Sequence, residues 1–113
     1  MNLKKISPTS VPRALELGER YRLLNEPEQA ASICRDVLEV DEGNQEAART
    51  LLLALTDQFD KKRGASLQDA ERAMDHITGE YERAYYRGVV YERWCRSLIQ
   101  SGAPAYSAGE WLQ

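Results

Sequence analysis

A chain of 113 residues with 42% hydrophobic and 29% charged side chains has the composition of one globular domain, which argues against a disordered or membrane-embedded protein. Its 15 basic and 18 acidic residues give a formal charge of −3, without the concentrated positive footprint of a nucleic-acid binder. The longest apolar run, Leu51 to Leu55, is far short of the roughly 20 residues that span a bilayer, and Met1 to Ser10 lacks the apolar segment of a secretion signal. A cytoplasmic protein with no membrane association is therefore expected.

Residues 1–10 are rich in Ser, Pro and Thr, lack periodicity, and read as a flexible leader. Ser10 is placed to cap a first helix, which tolerates Pro12 in its first turn and runs to about Leu24. Ala14, Leu17, Gly18 and Tyr21 fall on one stripe of it. Asn25, Glu26 and Pro27 end that helix and start the next, because Pro27 suits the opening of a helix and not its interior. The second helix, Pro27 to Val40, carries Ala30, Cys34 and Val37 and stops in the turn Asp41 to Asn44.

Asn44 caps a third helix with the stripe Ala48, Leu51, Leu52, Leu55 and Phe59. Lys61, Lys62 and Arg63 sit in the basic loop that follows, and their simplest role is a solvated one. Ser66 and Asp69 have capping-box spacing at the head of a fourth helix, with Ala70, Met74 and Ile77 on its stripe and Gly79 at its end. The fifth helix, Glu80 to Gln100, places Tyr81, Ala84, Gly88, Tyr91, Cys95 and Leu98 at alternating steps of three and four. Gly102 and Pro104 stop it, and a short sixth helix starts near Tyr106 with Ala108 and Leu112 on its stripe. The prediction is an all-α domain over residues 11–113, of five full helices and a short sixth. Cys34 and Cys95 lie on different helices and read as small buried hydrophobes, not as a disulfide.

Ala14, Leu17 and Tyr21 recur as Ala48, Leu51 and Leu55 at one constant offset, the signature of a helical-pair repeat. With Leu17, Gly18, Tyr21, Ala30 and the Asp41 to Asn44 turn in place, the chain resembles the tetratricopeptide repeat family. Its repeats cover about residues 11–44, 45–80 and 81–113; the second has Leu52 where the family prefers Gly, and the third has Arg87 where a Leu is typical. The resemblance implies a right-handed stack of antiparallel helix pairs, an α-solenoid, whose concave groove is lined by the first helix of each pair and binds peptides or other proteins. The Lys and Asn clamp with which some members hold a C-terminal carboxylate has no counterpart here, where Leu15, Glu19 and Thr50 occupy the comparable places.

The groove also follows from rotation alone. At about 100° per residue, the side opposite each stripe presents Leu15, Glu19 and Arg22 on the first helix. On the third it presents Arg49, Leu53 and Asp57, and on the fifth Tyr85, Tyr86, Val89 and Arg93. Apolar anchors framed by charges are how binding faces are built, so these ten residues form the candidate partner-binding groove. Tyr85 and Tyr86 are adjacent and cannot both follow the Ala84 and Gly88 stripe, so at least one faces outward.

No chemistry is visible. His76 is the only histidine, one His and two distant Cys assemble no metal site, and the phosphate-binding and nucleophile motifs are missing. The expectation is a non-catalytic interaction module with a protein or peptide partner and no cofactor or metal. The alternative is part of a larger regulatory or secretion-chaperone protein that forms homo-oligomers through its terminal helix.

Overall fold

The computed structural model describes residues 6–60 and 64–102. Within them are five α-helices and no strand: α1 (Val11–Leu23), α2 (Pro27–Val40), α3 (Gln45–Thr56), α4 (Leu67–Met74) and α5 (Glu80–Gln100). The start of the leader, the Lys61 to Arg63 run and the expected sixth helix lie outside the described residues. The fold is all-α.

Local chemistry sets most helix ends. Asn44 is extended, and its Oδ1 accepts from the Ala47 N–H at 2.8 Å to start α3. At α4 the capping box closes in both directions, Ser66 Oγ accepting from Asp69 N at 3.2 Å and Asp69 Oδ2 accepting from Ser66 N at 2.8 Å. The expected Ser10 cap does not form. A single 3-10 turn, Pro8–Ser10, precedes α1 and holds Ser10 in a helical conformation, and its hydroxyl shares a hydrogen bond with Ser7 instead. Between α1 and α2, Asn25 takes φ 62°, a left-handed conformation that Asn tolerates. Glu26 N then donates to Tyr21 O and Asn25 N to Arg22 O, which satisfies the last carbonyls of α1 and turns the chain into Pro27.

α2 packs against both α1 and α3, α4 packs against α3 and α5, and α3 lies beside both α1 and α5. Small residues permit the closest of these contacts. A Cβ on Gly18 would lie 3.3 Å from Cys34 Sγ and 3.4 Å from Ile33 Cγ2, so α1 and α2 meet at a point that only a glycine fills without displacement. Burial, aided by the nearby Glu46 and Glu19 carboxylates, pushes the Cys34 thiol up to about 12, which makes it an inert packing group.

Equivalent repeat positions differ in burial because α1 is flanked differently from α3. Leu17 is 39% exposed, whereas Leu51 is 3% exposed between neighbours on both sides. α4 ends at Met74, earlier than the Gly79 stop expected from sequence. The chain continues without helix, and Ile77 is nonetheless fully buried. Gln45 replaces the missing helical bonds: its Nε2 donates to His76 O at 2.9 Å and its Oε1 accepts from Thr78 N at 3.1 Å.

α5 has the expected bounds, but only the later part of its expected stripe reaches the core, at Tyr91 and Cys95. Val90, Cys95 and Ser97 are buried, and Trp94 meets Phe59 edge-on with ring centroids 5.0 Å apart. On the expected stripe, Tyr81 is 84% exposed and Ala84 and Gly88 are exposed as well. α5 receives its contacts from α3 and α4, and these reach the side carrying Tyr86, Val90 and Trp94.

Two stability outcomes follow. Gly18→Leu should lower unfolding free energy by about 1–3 kcal/mol through overpacking against Cys34 and Ile33, measured by urea denaturation. Asp69 is held below its ordinary value of 3.8, first by the Ser66 backbone N–H. Its contribution to stability is therefore complete above that value and fades as pH falls through the lower folded-state one. Asp69→Ala should cost about 0.5–1 kcal/mol near neutral pH, and its deficit relative to wild type should close in acid.

Candidate protein-binding face

α1, α3 and α5 each contribute one side to a common surface, and a carboxylate at the end of α3 ties them together. Asp57 is the C-terminal cap residue of α3, where the helix dipole is negative and an anion is disfavoured. Two guanidinium groups offset that cost. Arg22 from α1 donates from Nε to Asp57 Oδ2 at 2.7 Å and from Nη2 to Oδ1 at 3.2 Å, a two-point grip on the carboxylate. From the other side, Arg93 of α5 places Nη1 3.6 Å from Asp57 Oδ1 and donates to Thr56 Oγ1 at 2.8 Å. Thr56 in turn donates to Leu53 O at 2.7 Å and is buried beneath the guanidinium. A second bridge, Arg49 Nη1 to Glu82 Oε2 at 3.5 Å, joins α3 to α5 further along.

The ten residues picked by rotation separate into groups. Arg22, Asp57 and Arg93 meet directly, and Arg49 is engaged by Glu82. Tyr85 and Tyr86 stack edge-on with centroids 5.0 Å apart and resolve their adjacency by pointing differently. Tyr86 is half-buried and packs against the core, whereas Tyr85 is 58% exposed. Leu53 and Val89 are half-buried, Leu15 leans into the core and Glu19 is exposed. Beside Asp57 and Arg93 a cleft of about 270 Å³ opens, floored by Phe59 and Ser97. By rotation Thr56 and Glu82 fall on this same side of α3 and α5; the signal for the charged row was its spacing, since Arg22, Asp57 and Arg93 recur at nearly the repeat interval.

Arg22, Asp57, Arg93, Arg49 and Glu82 are paired within the chain, so they hold the shape of this face and leave the apolar surface of Tyr85, Leu53 and Val89 for contact. Among the described residues no cluster of three or more His, Cys, Asp or Glu is arranged to hold a metal ion. No helix there is long and apolar enough to cross a membrane. His76 is half-buried, and its carbonyl accepts from Gln45. No family model matches the chain, and no curated protein or solved structure is significantly similar to it.

Because the Asp57 cluster is half-exposed, its energy is modest and sensitive to salt. Asp57→Asn should lower stability by about 1 kcal/mol, and a double-mutant cycle with Arg22→Ala should give a coupling of similar size that shrinks in molar salt.

Proposed function

We propose that this chain is a non-catalytic protein-protein interaction module of the tetratricopeptide-repeat kind. In this reading its helix pairs form a right-handed solenoid whose concave side, lined by α1, α3 and α5, takes a peptide or helix from a partner. It acts as a cytoplasmic adaptor or scaffold and needs no cofactor. The observation that carries the reading is the Arg22, Asp57 and Arg93 row, which links three helices while Tyr85, two turns earlier on α5, stays exposed. An exposed tyrosine next to internally paired charges has the make-up of an interface anchor, since it offers apolar area with little conformational entropy to lose. Leu53 and Val89 extend that apolar strip, and Glu19 and Arg49 border it.

Photo-crosslinking inside cells tests this directly. A photoreactive phenylalanine analogue at position 85 or 19 should capture the same partner, and one at exposed Arg35 on α2 should not. Tyr85→Ala should weaken binding of the captured partner at least about tenfold while helix content stays at the wild-type level. Equal capture from position 35, or unchanged affinity in Tyr85→Ala, contradicts the assignment.

A further inference from the structure

α2 and α4 both pack on α3 but not closely on each other, and a cleft of about 380 Å³ opens between them. That volume is at the small end of the range for ligand sites, about 300–1,000 Å³. The floor is apolar, made by Leu38 of α2, Leu51 and Leu55 of α3 and Ala73 of α4, all of them buried. The rim is cationic, with Arg35 on the α2 side, Arg72 on the α4 side and His76 just past the end of α4. Leu51 and Leu55 lie about 200° round α3 from Leu53, so the cleft is a separate surface from the partner-binding face.

The polar groups on this rim are available to an anion. Arg35 has Glu39 one turn further along α2, yet among the described residues it forms no ion pair and lines the cleft instead. The His76 imidazole likewise has no hydrogen-bond partner among the described residues, and an imidazole carries at least one N–H in either charge state. Its backbone is held in place, because the His76 carbonyl accepts from Gln45 Nε2 at 2.9 Å. Arg72 meets only Asp69 Oδ1, at 3.5 Å, which leaves most of its five N–H groups unused. Asp69 is the one carboxylate lining the cleft, and its other oxygen is committed to the Ser66 N–H at 2.8 Å. Two guanidinium groups against one carboxylate leave a single positive charge, which a monoanion balances and a dianion exceeds. A bare anion would leave the leucine floor facing water. We propose that this cleft binds a small organic acid, one carboxylate on a compact apolar body. The carboxylate accepts from Arg35, Arg72 and His76, and the body lies over Leu38, Leu51 and Leu55.

Amide NMR on the full chain, titrated with 4-phenylbutyrate, provides the test. Saturable shifts should appear at residues 35–38 and 72–76 with a Kd at or below about 1 mM, the strength that about twelve heavy atoms support at ordinary ligand efficiency. Acetate, which lacks the apolar body, and 4-phenylbutyramide, which lacks the charge, should each bind at least about tenfold more weakly. Arg35 and Arg72 are both exposed, so replacing them leaves the core packing alone. Arg35→Gln and Arg72→Gln should each weaken 4-phenylbutyrate binding at least about fivefold, while α5 amides keep their wild-type shifts and so report an intact fold. Absent or non-saturating shifts in these two segments, equal affinity for the amide or for acetate, or unchanged affinity in either variant overturns the proposal.

Discussion

The enclosure of α3 is the constraint on which the rest of the molecule depends. Ala47, Ala48, Leu51, Leu52, Ala54, Leu55 and Thr56 are all buried, and at helical spacing they cover most of the circumference of a helix of only 12 residues. Such a helix is stable only when neighbours remove it from water on several sides, and α1, α2, α4 and α5 all do so. Alanines at three of those positions keep the neighbours close, and leucines fill the gaps between them. The three-helix surface therefore has a fixed spine before any surface charge is considered.

The charged row is a consequence of that spine. Once α1 and α5 are pressed against α3, their arginines reach the carboxylate at its C-terminal end, and the unfavourable meeting of an anion with the helix dipole is turned into a link across three helices. Since these charges face one another, they give the surface order more than they give it attraction. Recognition then falls to Tyr85 and the half-buried aliphatic groups near it. The Gly88 side of α5 has a different character: among the described residues a Cβ added at Gly88 would meet nothing within 4 Å, unlike the close α1 to α2 contact at Gly18.

Much of this organisation was legible in the sequence, and the limits are physical. The bounds of α2 and α5 follow from Pro27 and from Gly79, residues whose backbone preferences act locally, and Asn44 and Ser66 announce their caps in the same way. Ser10 failed as a cap because the preceding Pro8 turn, not the serine, sets its backbone. α4 stopped early because Gln45, far away in sequence, supplies the hydrogen bonds that a longer helix would have made. Periodicity marks α5 as amphipathic yet does not say where along it neighbours lie, so the first half of its stripe (Tyr81, Ala84, Gly88) is exposed, Cys95 further along is buried, and Val90 and Trp94 face inward beside it. The same limit applies to the binding face. Rotation selected Arg22, Asp57 and Arg93 individually, but their mutual pairing depends on the relative placement of three helices, which no single-helix pattern contains.

If α3 is the common support, the described helices unfold as one unit. The decisive measurement is urea unfolding followed both by helix content and by Trp94 emission in a Trp111→Phe background, with Leu52→Ala as the perturbation. Coincident transitions are predicted, with both midpoints shifted together by a loss of about 2–5 kcal/mol in the variant. Separate transitions, with helix signal from α1 and α2 surviving after Trp94 is exposed or a Leu52→Ala shift confined to one probe, would contradict it.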